Sequence, residues 1–184
     1  EKLSQMPNLR EIFMRYRKFY GDMGIIKNFS SPLEKISLLQ FFGTGSFDMK
    51  SLYSVQDTLQ EFIIGDPRNG LTTVLDLNVL VNMTNLNVFD IHKFNAPGSL
   101  TTSNSAPLPD TITNFYIQLN NFTGEIDWSI FDNVRNIIDF RIFGNPLLTG
   151  VVDWNVVKNM YFNTGSNERT ILRIKDTDVS GNNA

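Results

Sequence analysis

Residues 112–128 read ITNFYIQLNNFTGEIDW, and residues 137–154 read IIDFRIFGNPLLTGVVDW. Both run hydrophobe, two variable residues, hydrophobe, one variable, hydrophobe, two variable, Asn. Both then pass through Thr-Gly and finish on Asp-Trp. The alternation at Phe115-Tyr116-Ile117 is that of a short strand with one buried face. A pattern written twice at an interval of 25 residues identifies a repeat.

The same pattern extends outward in looser form. Its first apolar position falls at Leu9, Leu33, Leu59, Leu86, Ile112 and Ile137, and Arg169 stands in phase for a seventh copy. The intervals are 24, 26, 27, 26, 25 and 32. Asp66 to Gly70 accounts for extra length in the third copy, Pro146 in the sixth, and Asn163 to Glu168 in the last interval. Insertions confined to loops on a constant period are what a stacked array tolerates, because each repeat contacts only its neighbours.

Composition agrees with a folded array. The 184 residues are 41% hydrophobic and 19% charged, with a net charge of −3. No basic block is present, which gives no support to nucleic acid as a partner. No apolar run approaches the roughly 20 residues that span a bilayer, so no direct membrane insertion is expected. There is no cysteine, so disulfides, thiolate zinc sites and a cysteine nucleophile are excluded.

The pattern LxxLxLxxNxLxG at this period resembles the leucine-rich repeat, and the Asn-x-hydrophobe-Thr-Gly tail resembles its plant-type subclass, also seen in surface proteins of some protists and bacteria. The resemblance covers nearly the whole chain and is tightest over 112–136 and 137–168. It implies an α/β repeat fold: a right-handed solenoid of about seven repeats, with a parallel concave β-sheet and a 3₁₀ or irregular convex side. We expect one array over residues 1–184. Neither end shows a polar cap, so a section of a longer array, or ends covered by other subunits, is expected.

Individual positions then acquire physical roles. Asn120 and Asn145 fall on the family's asparagine ladder, where a side-chain amide satisfies backbone groups at the strand-to-loop turn. Arg17, Phe41, Pro67 and Phe94 replace it in the first four copies and Thr177 in the last. Gly21, Gly45, Gly98, Gly124, Gly150 and Gly181 are read as backbone positions that need positive φ or close approach. Met23, Phe47, Leu100, Ile126 and Val152 are expected to begin a second short strand. Asp48, Asp76, Asp127 and Asp153 each precede a short apolar segment, which makes them N-caps of convex helices rather than calcium or catalytic carboxylates. Trp128 and Trp154 are read as packing residues.

Function is sought on the concave face that the resemblance implies. Its central row would be Phe13, Ser37, Ile63, Asp90, Tyr116, Arg141 and Arg173, and the next row Arg15, Leu39, Gly65, His92, Gln118, Phe143 and Lys175. The candidate ligand-binding residues are Phe13, Arg15, Asp90, His92, Tyr116, Gln118, Arg141, Phe143 and Arg173, since aromatic residues and arginine are enriched at binding hot spots. His92 is the only histidine, and no P-loop, GxGxxG, GxSxG or paired-carboxylate motif occurs. No catalytic residue, cofactor or metal ligand is therefore assigned, and an enzyme is not expected. Sequons at Asn28, Asn82 and Asn121 suggest N-glycosylation and the secretory route. The expectation is a non-enzymatic extracellular or cell-surface glycoprotein module that binds a protein or peptide. The alternative is a structural repeat whose partners are further copies or neighbouring repeats in a filament, coat or adhesive layer; an intracellular scaffold comes third.

Overall fold

A computed structural model describes residues 5–15, 23–29, 31–41, 46–67, 71–162, 171–174 and 177–180. The strands, in chain order, are β1 (Glu11–Arg15), β2 (Lys35–Leu39), β3 (Ser46–Asp48), β4 (Glu61–Gly65), β5 (Thr72–Val74), β6 (Val88–His92), β7 (Pro97–Gly98), β8 (Asn114–Tyr116), β9 (Asn121–Glu125), β10 (Asp139–Arg141), β11 (Leu147–Val151), β12 (Ile171–Arg173) and β13 (Asp178–Ser180). A seven-stranded sheet is ordered β1-β2-β4-β6-β8-β10-β12. All its pairs are parallel, because each is made by stacking one coil on the next. The skipped numbers belong to a second row of strands: a four-stranded sheet β13-β11-β9-β7 and a pair β3-β5.

The periodic hydrophobes form one continuous core. Leu33, Leu59, Leu86, Ile112 and Ile137 are fully buried, and Leu9 packs against the same cluster from a partly buried position. Arg169, the expected seventh start, lies outside the described residues. In the second apolar position, phenylalanine replaces the usual leucine and builds a column. The ring centroids of Phe62, Phe89, Phe115 and Phe140 are separated successively by 6.1, 5.6 and 5.5 Å. These distances suit offset rings, each displaced somewhat beyond the roughly 4.8 Å spacing of the strands that carry them.

Turn chemistry holds the coils in register. Asn145 Oδ1 accepts from the Phe122 N–H at 3.2 Å, while its Nδ2 donates to the carbonyls of Ile117 and Ile142 at 3.0 and 2.7 Å. Asn120 accepts from the N–H groups of Phe94 and Ala96 and donates to Ile91 and Ile117. Both amides are buried. Thr177 Oγ1 donates to the Ile174 carbonyl at 2.7 Å. Phe41 and Phe94, at the same position in earlier coils, are buried in the core instead; Arg17 lies outside the described residues.

The residue just before the ladder position is left-handed in five successive coils: Gln40, Asp66, Lys93, Leu119 and Gly144, with φ of 51, 54, 56, 58 and 69°. The N–H of each of the first four donates to the next coil's strand end, at Gly65, His92, Gln118 and Phe143, over 2.9–3.1 Å. Four of the five carry side chains, so a bond to the neighbouring coil overrides the usual preference for glycine. The glycine column lies one turn later. Gly124 and Gly150 have positive φ; Gly21, Gly45 and Gly181 lie outside the described residues.

The convex side carries the expected caps. Asp48, Asp76, Asp127 and Asp153 accept from the N–H groups of Lys50, Asn78, Ser129 and Asn155 at 2.9–3.1 Å. The first three open 3₁₀ turns at Met49–Val55, Leu77–Leu80 and Trp128–Phe131. The fourth opens an α-helix, α1 (Trp154–Phe162), so the convex side is not 3₁₀ or irregular throughout. The second strands also differ from expectation. Only Phe47 lies within one; Leu100, Ile126 and Val152 follow β7, β9 and β11, and Met23 opens a 3₁₀ turn. The strand is set by pairing between neighbouring coils upstream of these hydrophobes, which are free to turn into the core. The two tryptophans part company as well. Trp128 is buried and its indole N–H donates to the Val151 carbonyl at 2.8 Å, whereas Trp154 is exposed.

Candidate binding face

Strand register settles which outward residues are neighbours. Phe13 pairs with Ser37, Ser37 with Ile63, Ile63 with Asp90, Asp90 with Tyr116, Tyr116 with Arg141, and Arg141 with Arg173. The central row read from the sequence is therefore one continuous line across the sheet. Beside it run Arg15, Leu39, Gly65 and His92 in register. Gln118 and Phe143 continue that line just past β8 and β10; Lys175 lies outside the described residues. The other side of the central row is Glu11, Lys35, Glu61, Val88, Asn114, Asp139 and Ile171.

The nine candidate residues fall into two groups. Phe13, 61% exposed, and Arg15 stand on β1 at the sheet edge. Asp90, His92, Tyr116, Gln118, Arg141, Phe143 and Arg173 occupy β6 to β12 and the adjoining turns. The groups are three strands apart, roughly 14 Å at 4.8 Å per strand. Between them lie Ser37, Leu39, Ile63 and Gly65. Along the edge of this part of the sheet, Arg10 pairs with Glu34, and Lys35 with Glu61 at 2.8 Å. The pairing with Glu61 raises the Lys35 pKa.

Within the second group lie two bonded sets, one on β6 and one across β8 and β10. Asp90 Oδ1 lies 2.6 Å from His92 Nδ1, a pair two residues apart on one face of β6. Burial pushes the Asp90 carboxyl above its ordinary pKa, against the opposing pull of His92 and Arg141. Arg141 holds Asp139 by two bonds, Nε to Oδ1 at 3.0 Å and Nη2 to Oδ2, and this pairing raises its own pKa. The same guanidinium lies 4.7 Å from the Tyr116 ring centroid, a cation–π distance. Asn114 Nδ2 donates to the Tyr116 hydroxyl at 2.6 Å. Burial comes first among the causes that raise the tyrosine pKa.

Sequence reading missed Asp139 and Asn114. Both lie on the flanking row, where the loose repeat pattern imposes no residue type. The signal available was spacing: Asp139-x-Arg141 and Asp90-x-His92 each place a carboxylate and a nitrogen donor on one strand face. Arg141 is thus not a bare cation awaiting a ligand but one half of a pair that also braces Tyr116.

The sequons fall elsewhere. Asn28 and Asn82 are exposed near the ends of convex turns. Asn121, expected in a turn, begins β9, and its Nδ2 donates to Asn95 Oδ1 at 2.6 Å. Among the described residues, no cluster of histidine and carboxylate side chains could hold a metal, and no helix is long and apolar enough to cross a membrane.

No protein-family model matches the chain, and no curated protein matches it by sequence. Solved structures are similar in fold. A TDR receptor superposes with a TM-score of 0.72 at 19% identity over 96% of this chain and 28% of its own. The plant peptide hormone receptor RGFR1, in complex with RGF2, gives 0.60 at 19% identity over 98% and 30%. The LRR ectodomain of the plant membrane receptor kinase GASSHO1/SCHENGEN3 from Arabidopsis thaliana, in complex with CASPARIAN STRIP INTEGRITY FACTOR 2, gives 0.58 at 17% identity over 97% and 25%. The chain spans less than a third of the length of each. What is shared is the leucine-rich-repeat solenoid.

Proposed function

We propose that this leucine-rich-repeat protein is a non-enzymatic recognition module, extracellular or at the cell surface, whose concave face binds a protein or peptide. The observation that carries the reading is the unbroken row Asp90–Tyr116–Arg141–Arg173 across β6, β8, β10 and β12. Tyr116 and Arg141 hold one another, so ordering them on binding costs little further side-chain entropy. A parallel sheet with preset polar pairs presents a line of contacts suited to a chain laid across the strands. One of the structures similar in fold is a peptide hormone receptor in complex with RGF2, which supports the reading by analogy of fold.

The test is selection of binding peptides on the 184-residue chain, followed by the double substitution Tyr116→Ala, Arg141→Ala. The reading expects binding to fall at least a hundredfold with the far-UV spectrum unchanged. Retention of affinity for every selected peptide would sink it. The secretory assignment is tested separately by glycopeptide mapping on native protein. Sugar is expected at Asn28 and Asn82, with lower occupancy at Asn121, whose amide is already engaged.

A structural role is the second reading. Leu147 and Val151, at the two ends of β11, and Trp154 just beyond it are exposed, and they lie off the concave row. Sedimentation of the purified chain distinguishes the two. Assembly abolished by Leu147→Lys but indifferent to the Tyr116/Arg141 pair would favour the structural role.

A further inference from the structure

Strand β8 differs from its two neighbours in one respect. On β6 the buried Asp90 is met by His92, two residues on, and on β10 the buried Asp139 is met by Arg141 in the same way. Each buried acceptor carries its own nitrogen partner on the same strand. Strand β8 pairs Asn114 with Tyr116 in that way too, but just past it a further buried acceptor, on the row of His92, has none. Gln118 is 8% exposed, and its Oε1 is buried without any hydrogen-bond donor. Its place is fixed by the main chain. The Gln118 carbonyl accepts from the Lys93 N–H at 3.1 Å, and the N–H of Leu119 donates to the Phe143 carbonyl at 2.9 Å. Gln118 therefore stands in the line His92–Gln118–Phe143. A buried acceptor left unmet is unfavourable, and native structures contain few of them.

The surroundings say what kind of donor would fit. Asp90 uses only Oδ1; among the described residues its Oδ2 makes no hydrogen bond. Asp90 and Asp139 share this face with Arg141, and Arg173 is the register partner of Arg141. The face already cradles one guanidinium between a carboxylate and an aromatic ring, Arg141 between Asp139 and Tyr116. A planar cation with several N–H groups is the chemistry that such a surface repeats.

We propose that Gln118 and Asp90 form a subsite for the guanidinium of an arginine in the bound peptide, an inference that rests on the peptide-binding reading above. The guanidinium donates to Gln118 Oε1 and to Asp90 Oδ2. The Gln118 amide meets it by rotating about its terminal bonds, which exchanges an unmet buried acceptor for a satisfied one. The Phe143 ring, partly buried on the neighbouring coil, supplies a face for the cation.

The experiment uses peptides selected from a random display library on the full chain. Each binder is remade with its arginine replaced by citrulline, which keeps the shape and removes the charge, or by lysine. These peptides are titrated against the wild type, Gln118→Met and Gln118→Glu. A recurrent arginine is expected, with at least tenfold weaker binding for both the citrulline and the lysine peptides. Gln118→Met should lose the arginine peptide at least tenfold yet melt at or above the wild-type temperature, because it removes the unmet acceptor. Gln118→Glu should bind at least as tightly as wild type. Selected peptides without a recurrent arginine, or undiminished binding by Gln118→Met, overturn the subsite and leave the concave-face reading standing. A library that yields no peptide sensitive to the Tyr116/Arg141 pair defeats that reading itself. A Gln118→Met chain that melts well below wild type, while Gln118→Glu shows no change in arginine preference, identifies the amide as purely structural and overturns the proposal.

Discussion

The imidazole of His92 occupies the space that a side chain on Gly65 would need. A Cβ at Gly65 would fall 2.2 Å from His92 Cε1 and 2.3 Å from Nε2. The two residues are register partners on β4 and β6. The missing side chain on one strand is what lets the ring on the next lie down beside Asp90.

Gly65→Ala should therefore act through His92 rather than through the backbone, since Gly65 is not in the left-handed region. The ring must swing away and give up its bond to Asp90. The expected loss is about 1 kcal/mol, the net worth of a hydrogen bond to a charged group at a partly exposed site. Denaturant melts and the His92 ring resonances check this; an unmoved imidazole signal would contradict it.

Gly144→Ala tests the left-handed column. Its φ of +69° disfavours a side chain, and a Cβ would lie 2.6 Å from Leu119 Cδ2. The strain predicts a loss of roughly 1–2 kcal/mol from conformation alone, with the contact adding to it. In a Leu119→Ala background the contact with Cδ2 is removed and only that with the Cα, at 3.3 Å, remains, so a double-mutant cycle should show coupling between the two positions. Additive losses would show that the contact carries no energy.

The ladder amides predict larger effects. Asn145→Ala leaves the Phe122 N–H and the Ile142 carbonyl without that partner, and Asn120→Ala leaves the N–H groups of Phe94 and Ala96 and the Ile91 carbonyl, while the Ile117 carbonyl, shared by both amides, keeps one of them in either variant. Each should cost about 2–4 kcal/mol, with Asn120 at least equal to Asn145, since orphaned buried groups carry their full desolvation penalty. Equilibrium unfolding of both variants decides the order.

Two carboxylates should titrate with opposite consequences. Asp90 holds its proton more tightly folded than unfolded because it is buried. Its contribution is present below the ordinary aspartate range and is lost as pH rises through the raised folded value. Asp127 is the reverse: hydrogen bonds from Ser105 and Ser129 lower its pKa. Its contribution is present above the ordinary range and is lost as pH falls through the depressed value. Relative to wild type, Asp90→Asn should gain stability as pH rises through the first window. Asp127→Asn should recover its deficit as pH falls through the second. Parallel pH–stability curves for all three proteins would refute both assignments.

The period, the buried trio of each strand, the asparagine ladder of two coils and the aspartate caps of four were legible in the chain because each is a local requirement at a fixed place in the repeat. An amide at the strand end bonds the turn beside it, and an aspartate before a convex turn caps it. The central concave row was legible for the same reason, since a constant repeat carries its own register. The pairs on that face were not. Asp139 and Asn114 occupy positions where the repeat is indifferent, and each bonds a side chain two residues on, Arg141 and Tyr116, which in turn meet across neighbouring coils. Trp128 and Trp154 sit at one repeat position, yet only Trp128 finds a carbonyl on the following coil.

The sequence by itself determined a stack of parallel coils and which side chains face inward, because burial of a periodic apolar face has one solution over many repeats. Only the tertiary structure decided that Arg141 belongs to Asp139 and Tyr116, that His92 rests over Gly65, and that Gln118 is left without a donor. The contacts with Tyr116 and Gly65 join coils about 25 residues apart, while Arg141 and Asp139 share one strand. They depend on distances of a few ångströms that no single repeat encodes.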